Sequence, residues 1–425
     1  MKKFFLLLVI GLSAISFAQQ DSDEAEEFRS ILFSNLHIMP SDSSNNIFYT
    51  YKLPYNRLVF VKNGNKYTAE FNITIEVFDS GNNFVVRTYS NKRIETNDFE
   101  STNSRDLYSE GFCQFEVGKG EFNILPLFSD VKSGREIKLK ARKLVTSKYN
   151  ESGILEPLIV NADSFKCNGK EFYALANFES NFPFSEEKFD MLIPVTDLSV
   201  NSIHVSVVKA KDTLLNETIS ESFLSGILFD ECSNKVVLTS TGSGKKTRNF
   251  VVQNFSNNLS PGNIVITVSE DKNTKPEKTF QKSVIWYNKP LSLNNPEYAI
   301  KVLKHIEGDS VVNRLLNEDS DNYQQVLLNY WEKYDPTPGT SFNPLMVEFY
   351  QRVDYAAMNF TPIDGKSGSD TDRGKILIQF GQPNKIERAS NGYGKVVETW
   401  VYEKPQRKFI FVDQKGTGNF SLTKG

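Results

Sequence analysis

The stretch Tyr67-Thr68-Ala69-Glu70-Phe71-Asn72-Ile73-Thr74-Ile75-Glu76-Val77 alternates apolar and polar side chains along its whole length. A period of two puts Tyr67, Ala69, Phe71, Ile73, Ile75 and Val77 on one face and leaves the other set to water, which predicts a half-buried β-strand. Asp79-Ser80-Gly81-Asn82 follows with turn chemistry, and residues 84–89 can return as the hairpin partner.

Strand patterns continue on both sides of this hairpin. Residues 111–117, 121–128 and 136–144 read as further strands, and short strands joined by turns predict an antiparallel β-sandwich over 47–148. The last strand sets Ile137, Leu139 and Ala141 against Lys138, Lys140 and Arg142. Such a basic stripe is ordinarily a solvated strand face, with a docking patch for an acidic glycan or lipid headgroup as the sharper alternative. Residues 172–178, 198–208, 235–240, 249–255, 263–269 and 279–287 repeat the pattern and predict a second sandwich over 149–289.

Towards the N-terminus, residues 19–46 begin acidic (Asp21, Asp23, Glu24, Glu26, Glu27) and end polar, and are expected to be loosely ordered around a short apolar element at 31–38. Lys2 and Lys3, the apolar run 4–15 and Ser16-Phe17-Ala18 form the three parts of a secretory signal peptide over residues 1–18. The expected address is the periplasm or the exterior of a bacterium. No lipoprotein is expected, because the first cysteine is Cys113. After cleavage no stretch is long and apolar enough to span a bilayer.

At Leu291 the apolar period changes to that of a helix. Asn295 and Pro296 open one helix, Tyr323 to Trp331 carry a second, and Asn343 and Pro344 open a third with Met346, Phe349, Tyr350 and Val353 on its apolar face. Between the last two lies Asp335-Pro336-Thr337-Pro338-Gly339-Thr340, a rigid connector in which both prolines oppose helix. Residues 375–380, 385–388, 396–402 and 407–413 read as strands of a meander, with Asn391-Gly392 as a hairpin turn. The expected fold class is therefore multidomain β and α+β. Two tandem antiparallel β-sandwich domains precede a C-terminal domain over 290–425, built of helices followed by an antiparallel meander.

Lys and Arg number 49 against 52 Asp and Glu. Loss of Lys2 and Lys3 makes this 47 against 52, a balance of −5 that disfavours nucleic acid as a partner. Cys113, Cys167 and Cys232 form no disulfide framework; Cys167 and Cys232 either pair after export or remain buried thiols. His37, His204 and His305 are isolated, so no zinc site and no cofactor is expected. Trp286, Trp331 and Trp400 lie in apolar patterns and are expected in cores.

The polar loop Gly368-Ser369-Asp370-Thr371-Asp372-Arg373-Gly374-Lys375 is the candidate site. Asp370, Asp372 and Thr371 can accept backbone hydrogen bonds, Gly368 and Gly374 permit φ values closed to other residues, and Arg373 can clamp a carboxylate of a neighbouring helix. A loop-organising role is the principal expectation, with ligand or calcium binding by the Asp-x-Asp pair as the alternative. The other carboxylates of this region are Asp335, Asp354, Glu398 and Asp413. Asp370 or Asp372 with Glu398 would be the acidic pair of a glycan hydrolase if they converged.

Tyr330-Trp331-Glu332-Lys333-Tyr334-Asp335-Pro336, then Tyr350-Gln351-Arg352-Val353-Asp354-Tyr355-Ala356, Thr371-Asp372-Arg373-Gly374-Lys375, Phe380-Gly381-Gln382-Pro383, Glu398-Thr399-Trp400-Val401-Tyr402 and Phe409 to Asp413 occur in this order. In that order they resemble the GWxTD domain of secreted bacterial proteins, over about residues 290–422. Ser369 stands where the motif has its Trp, while Gly368, Thr371 and Asp372 are in place. The resemblance implies a domain, an exported setting and preceding β-domains, but no particular activity. The expected function is a non-enzymatic envelope protein that binds another protein or an envelope polymer. A glycan-directed hydrolase is the alternative.

Overall fold

A computed structural model describes residues 32–104, 106–147, 153–179, 181–242, 245–270, 278–363, 365–390 and 394–424. The signal peptide, the first part of the 19–46 segment and the turn Asn391-Gly392 lie outside the described residues. The chain forms two compact units, one ending at Trp286 and the other beginning at Tyr287.

In the first unit, strand Lys66–Asp79 contains the alternating stretch. Ala69, Phe71, Ile73, Ile75 and Val77 have no exposed surface. The opposite face carries cross-strand charge pairs with strand Phe84–Thr96: Glu76 lies directly opposite Arg87 and Glu70 opposite Arg93. Strands Gly120–Asp130, Arg135–Lys138, Arg142–Thr146 and Val61–Asn63 complete this sheet. A second sheet contains Phe33–Pro40, Asn45–Pro54 and Tyr108–Val117. Residues 33–40, which overlap the short apolar element expected at 31–38, form a paired strand, with Leu36 and Ile38 packed on the first core and Met39 in the next.

A third sheet has seven strands, among them Leu158–Asn161, Phe189–Val195, Thr247–Val252, Ser222–Cys232 and Lys235–Thr241. A fourth has five, including Ile203–Lys209, Gly262–Ser269 and Lys278–Ile285. Three cores hold the four sheets in a stack. Phe71, Ile73 and Ile75 meet Tyr49, Tyr51 and Phe115 in the first. Phe48 and Met39 meet Leu158, Leu192 and Phe229 in the second, with Phe48 and Phe229 stacked at 4.4 Å. Met191, Ile193 and Phe250 meet Val205, Ile266 and Val268 in the third. Both expected β regions are layered and antiparallel but for the short parallel pairing of Phe182–Pro183 with Lys278–Ile285, and the middle core joins them into one compact unit. Cys167 and Cys232 are disulfide-bonded, while Cys113 is a buried free thiol whose pKa burial pushes up to about 12.

The second unit opens with helices α1 Pro296–Lys301, α2 Asp309–Leu316, α3 Tyr323–Glu332 and α4 Pro344–Asn359. Asn295 and Asn343 cap α1 and α4 by accepting from the backbone N–H of Tyr298 and Met346, with proline at the first turn of each. Helix α2 carries no expectation from the sequence. Trp331, Phe349 and Tyr350 form the aromatic centre of the helices; Trp331 Nε1 donates to Tyr350 Oη at 3.2 Å, and Tyr350 Oη donates to the Ala299 carbonyl at 2.9 Å.

The expected strand at 375–380 is instead helix α5, Asp372–Phe380. Thr371 caps it, Asp372 occupies its first turn where the helix dipole favours negative charge, and Gly381 at φ 76° ends it. The meander follows as Lys385–Ser390, Val396–Tyr402, Arg407–Asp413 and Phe420–Lys424, all antiparallel in chain order. Its fourth strand was not anticipated.

Candidate functional site

The loop Gly368–Lys375 lies between α4 and α5 and is built by close backbone approach. Gly368 begins a single 3-10 turn, and its N–H donates to Thr361 Oγ1 at 3.0 Å. Thr371 Oγ1 donates to the Gly368 carbonyl at 2.7 Å and accepts from the Gly374 N–H at 3.1 Å, closing the N-terminus of α5 on the preceding turn. A Cβ on Gly374 would stand 2.0 Å from the Gly368 carbonyl oxygen, and a Cβ on Gly368 would stand 2.1 Å from that of Ala356. Neither glycine has positive φ. Their role is therefore the absence of a side chain at two backbone crossings, and the expected φ requirement is corrected.

Arg373 reaches away from the loop into the meander. Its Nη1 donates to Glu398 Oε2 at 3.2 Å and its Nη2 to the Gly418 carbonyl at 3.1 Å. Its guanidinium lies 4.7 Å from the Phe360 ring centre and 4.0 Å from that of Phe420, an arrangement that suits a planar cation. The clamped carboxylate thus belongs to a strand rather than a helix, because α5 packs its first turn on the sheet. Burial draws the Arg373 guanidinium below its usual value, and Glu398 opposes that shift.

Glu398 is 2% exposed, and its other oxygen, Oε1, accepts from Trp400 Nε1 at 2.6 Å. Both oxygens are engaged inside the fold. Asp413 accepts from the N–H groups of Lys415, Gly416 and Thr417 through Oδ1 and from Gly418 through Oδ2. Burial raises its pKa, but these four bonds outweigh that and hold the carboxyl below its ordinary range.

Asp370 and Asp372 diverge. Asp370 Oδ1 lies 2.8 Å from Lys304 Nζ and 3.5 Å from His305 Nε2. Asp372 Oδ2 accepts from the Leu422 N–H at 2.9 Å, tying α5 to the last strand. Ser369, in the position of the motif Trp, is buried, and its hydroxyl pairs with that of Ser367 at 2.9 Å. Asp354 accepts from the N–H groups of Leu291 and Ser292 and anchors the entry to the helices.

The connector is equally self-contained. Asp335 Oδ1 accepts from Thr337 N–H at 2.8 Å and from Thr337 Oγ1 at 3.0 Å, and Asn343 Nδ2 reaches back to the Trp331 carbonyl at 2.9 Å. Pro336, Pro338 and Gly339 complete the bend, and Gly339 has open space around it. Among the described residues no three His, Cys, Asp or Glu side chains gather as metal ligands.

Sequence reasoning missed Phe360, Phe420, Thr361 and His305 as members of this site. Nothing in their spacing signals a contact with Arg373, Gly368 or Asp370. The run Asp413 to Gly418, with two glycines after an aspartate, did carry a turn signal.

Among solved structures, the C-terminal domain of the AgI/II polypeptide BspA of Streptococcus agalactiae is 10% identical, with coverage of 59% of this chain and 100% of that one and a TM-score of 0.15. The lysenin pore is 11% identical, with coverage of 52% and 97% and a TM-score of 0.10. At those scores neither likeness bears on fold or function. No curated protein matches the chain. A match to the GWxTD domain covers residues 267–424, starting within strand Gly262–Ser269 and taking in the helices, the motif loop and the meander. Residues 267–424 of the chain therefore carry a GWxTD domain.

Proposed function

We propose that the protein is an exported, non-enzymatic module of the bacterial cell envelope that binds another protein or an envelope polymer. The observation that carries this reading is the internal engagement of the motif's polar groups. Thr371, Arg373, Glu398 and Asp413 all make hydrogen bonds within the second unit, so the motif acts as the joint between α4, α5 and the meander. The Cys167–Cys232 disulfide supports an oxidising compartment.

The test uses the purified chain in co-sedimentation with peptidoglycan and other insoluble envelope polymers, together with chemical cross-linking in envelope extracts. Saturable association with one polymer or one protein is expected. A monomer that associates with none overturns the reading. Release of sugar from those polymers that disappears in D370N or D372N would favour a hydrolase instead.

A further inference from the structure

Along one side of the first unit, the margins of two facing sheets leave a cleft of about 870 Å³. Among the described residues, strand Phe33–Pro40 is the outer strand of its sheet, and Arg142–Thr146 pairs only with Gly120–Asp130 of the other. Ser34, Leu36 and Ile38 form one wall; Lys140, Arg142 and Lys143 form the other. Core residues Leu139, Leu144 and Tyr49 provide an apolar floor.

The cleft exposes a strand edge. Arg142 Nη2 donates to the Ser34 carbonyl at 2.8 Å and to Ser34 Oγ at 3.0 Å, so the Ser34 peptide group points away from its partner strand. In an antiparallel ladder that orientation recurs at every second residue, which turns the N–H and C=O of Leu36 and Ile38 to the cleft as well. Among the described residues no strand pairs with this edge. An unpaired edge beside an apolar floor is a template for strand addition.

The charge of the cleft selects the occupant. Lys140 and Lys143 are exposed. Of the two lining carboxylates, Glu156 is ion-paired with Lys282, which leaves Glu179 against Lys140, Arg142 and Lys143. The balance of charge that meets a ligand is positive.

We propose that this cleft binds an extended acidic peptide segment of a partner protein, which adds as a strand to Phe33–Pro40 and sets its carboxylates on Lys140 and Lys143. The proposal rests on the binding-module reading and names its site and partner class. Lys140 and Arg142 of the basic stripe thereby become part of one wall of a groove.

The experiment measures fluorescence anisotropy of a labelled octapeptide of alternating Glu and Val on the full chain, with alternating Lys and Val as control. The acidic peptide is expected to bind saturably and the basic one at least about tenfold more weakly. L36P removes an N–H that faces the cleft, at an edge position where proline is tolerated, and should weaken acidic binding about tenfold. K140E/K143E changes only exposed side chains and should reverse the preference in favour of the Lys peptide. Binding that ignores peptide charge, an unreversed preference in K140E/K143E, or no saturable acidic binding up to about 1 mM overturns the proposal. If K140E/K143E still captures every cross-linked partner of the wild type, the cleft assignment falls while the binding-module reading stands.

Discussion

Gly374 shows how a single missing side chain organises the second unit. Two effects oppose one another at this position. Alanine in a helix gains about 1 kcal/mol over glycine in backbone propensity. A Cβ 2.0 Å from the Gly368 carbonyl oxygen, however, meets backbone that no rotamer change can move. Displacing the turn costs about 1–3 kcal/mol and breaks the Thr371 bridge to both glycines. We expect G374A to destabilise the second unit by about 2 kcal/mol in urea unfolding followed by tryptophan fluorescence. An alanine variant as stable as the wild type would show that the loop relaxes freely. The sequence announced both glycines but not their reason: φ preference is a local property, whereas the crossing involves Ala356, which lies twelve residues before Gly368.

At the scale of elements, legibility followed length and periodicity. The alternation of Lys66–Asp79 and the capped α4 each run long enough for one period to dominate, and both were legible. Helix α5 has nine residues, with Gly374 near its start and the β-branched Ile376 and Ile378 at its centre, so local preference pointed to a strand. Packing decided otherwise: Thr371 caps the helix, and Arg373, Gly374, Ile376, Leu377 and Ile378 are buried on it. His305, at the end of the 3-10 turn after α1, packs beside this element. Burial lowers its pKa to about 4, with Lys304 and Lys375 adding to the shift and Asp370 opposing it. The folded value lies below the unfolded value of 6.5, so the unfolded chain binds the extra proton between those limits. The stability contributed is complete above pH 6.5 and is lost as pH falls towards 4. We expect the second unit to lose on the order of 2 kcal/mol between pH 7 and 5, and H305Q to flatten that dependence. Thermal unfolding across this range measures it; an unchanged pH profile in H305Q would remove His305 as the cause.

At the scale of the whole molecule, the first unit resists dissection into separate sandwiches because both faces of Asn45–Pro54 are buried. Tyr49 and Tyr51 face one core and Phe48 faces the next. A strand buried on both faces loses its polar alternation, so the sequence displayed the β content without displaying the shared layer. The disulfide adds a covalent tie to this stack. Cys167 precedes Asn168-Gly169 and Cys232 precedes Ser233-Asn234, two turns with positive φ at both positions, as tight hairpins of this type require. The bridge joins these two hairpin ends with a Cα separation of 6.2 Å across 65 residues of sequence. Closing a loop of that size removes unfolded-state entropy equivalent to about 4 kcal/mol. The double variant C167S/C232S should therefore lower the urea midpoint of the first unit and steepen its slope somewhat, because the unbridged denatured chain exposes more surface. A reductant should reproduce the loss in the wild type and do nothing further to the variant. Because the Cys113 thiol is buried, a maleimide should label neither folded protein and should label Cys113 only on unfolding. A wild-type midpoint indifferent to reductant would mean that the hairpin ends are held by packing alone and that the bridge adds nothing to the stack.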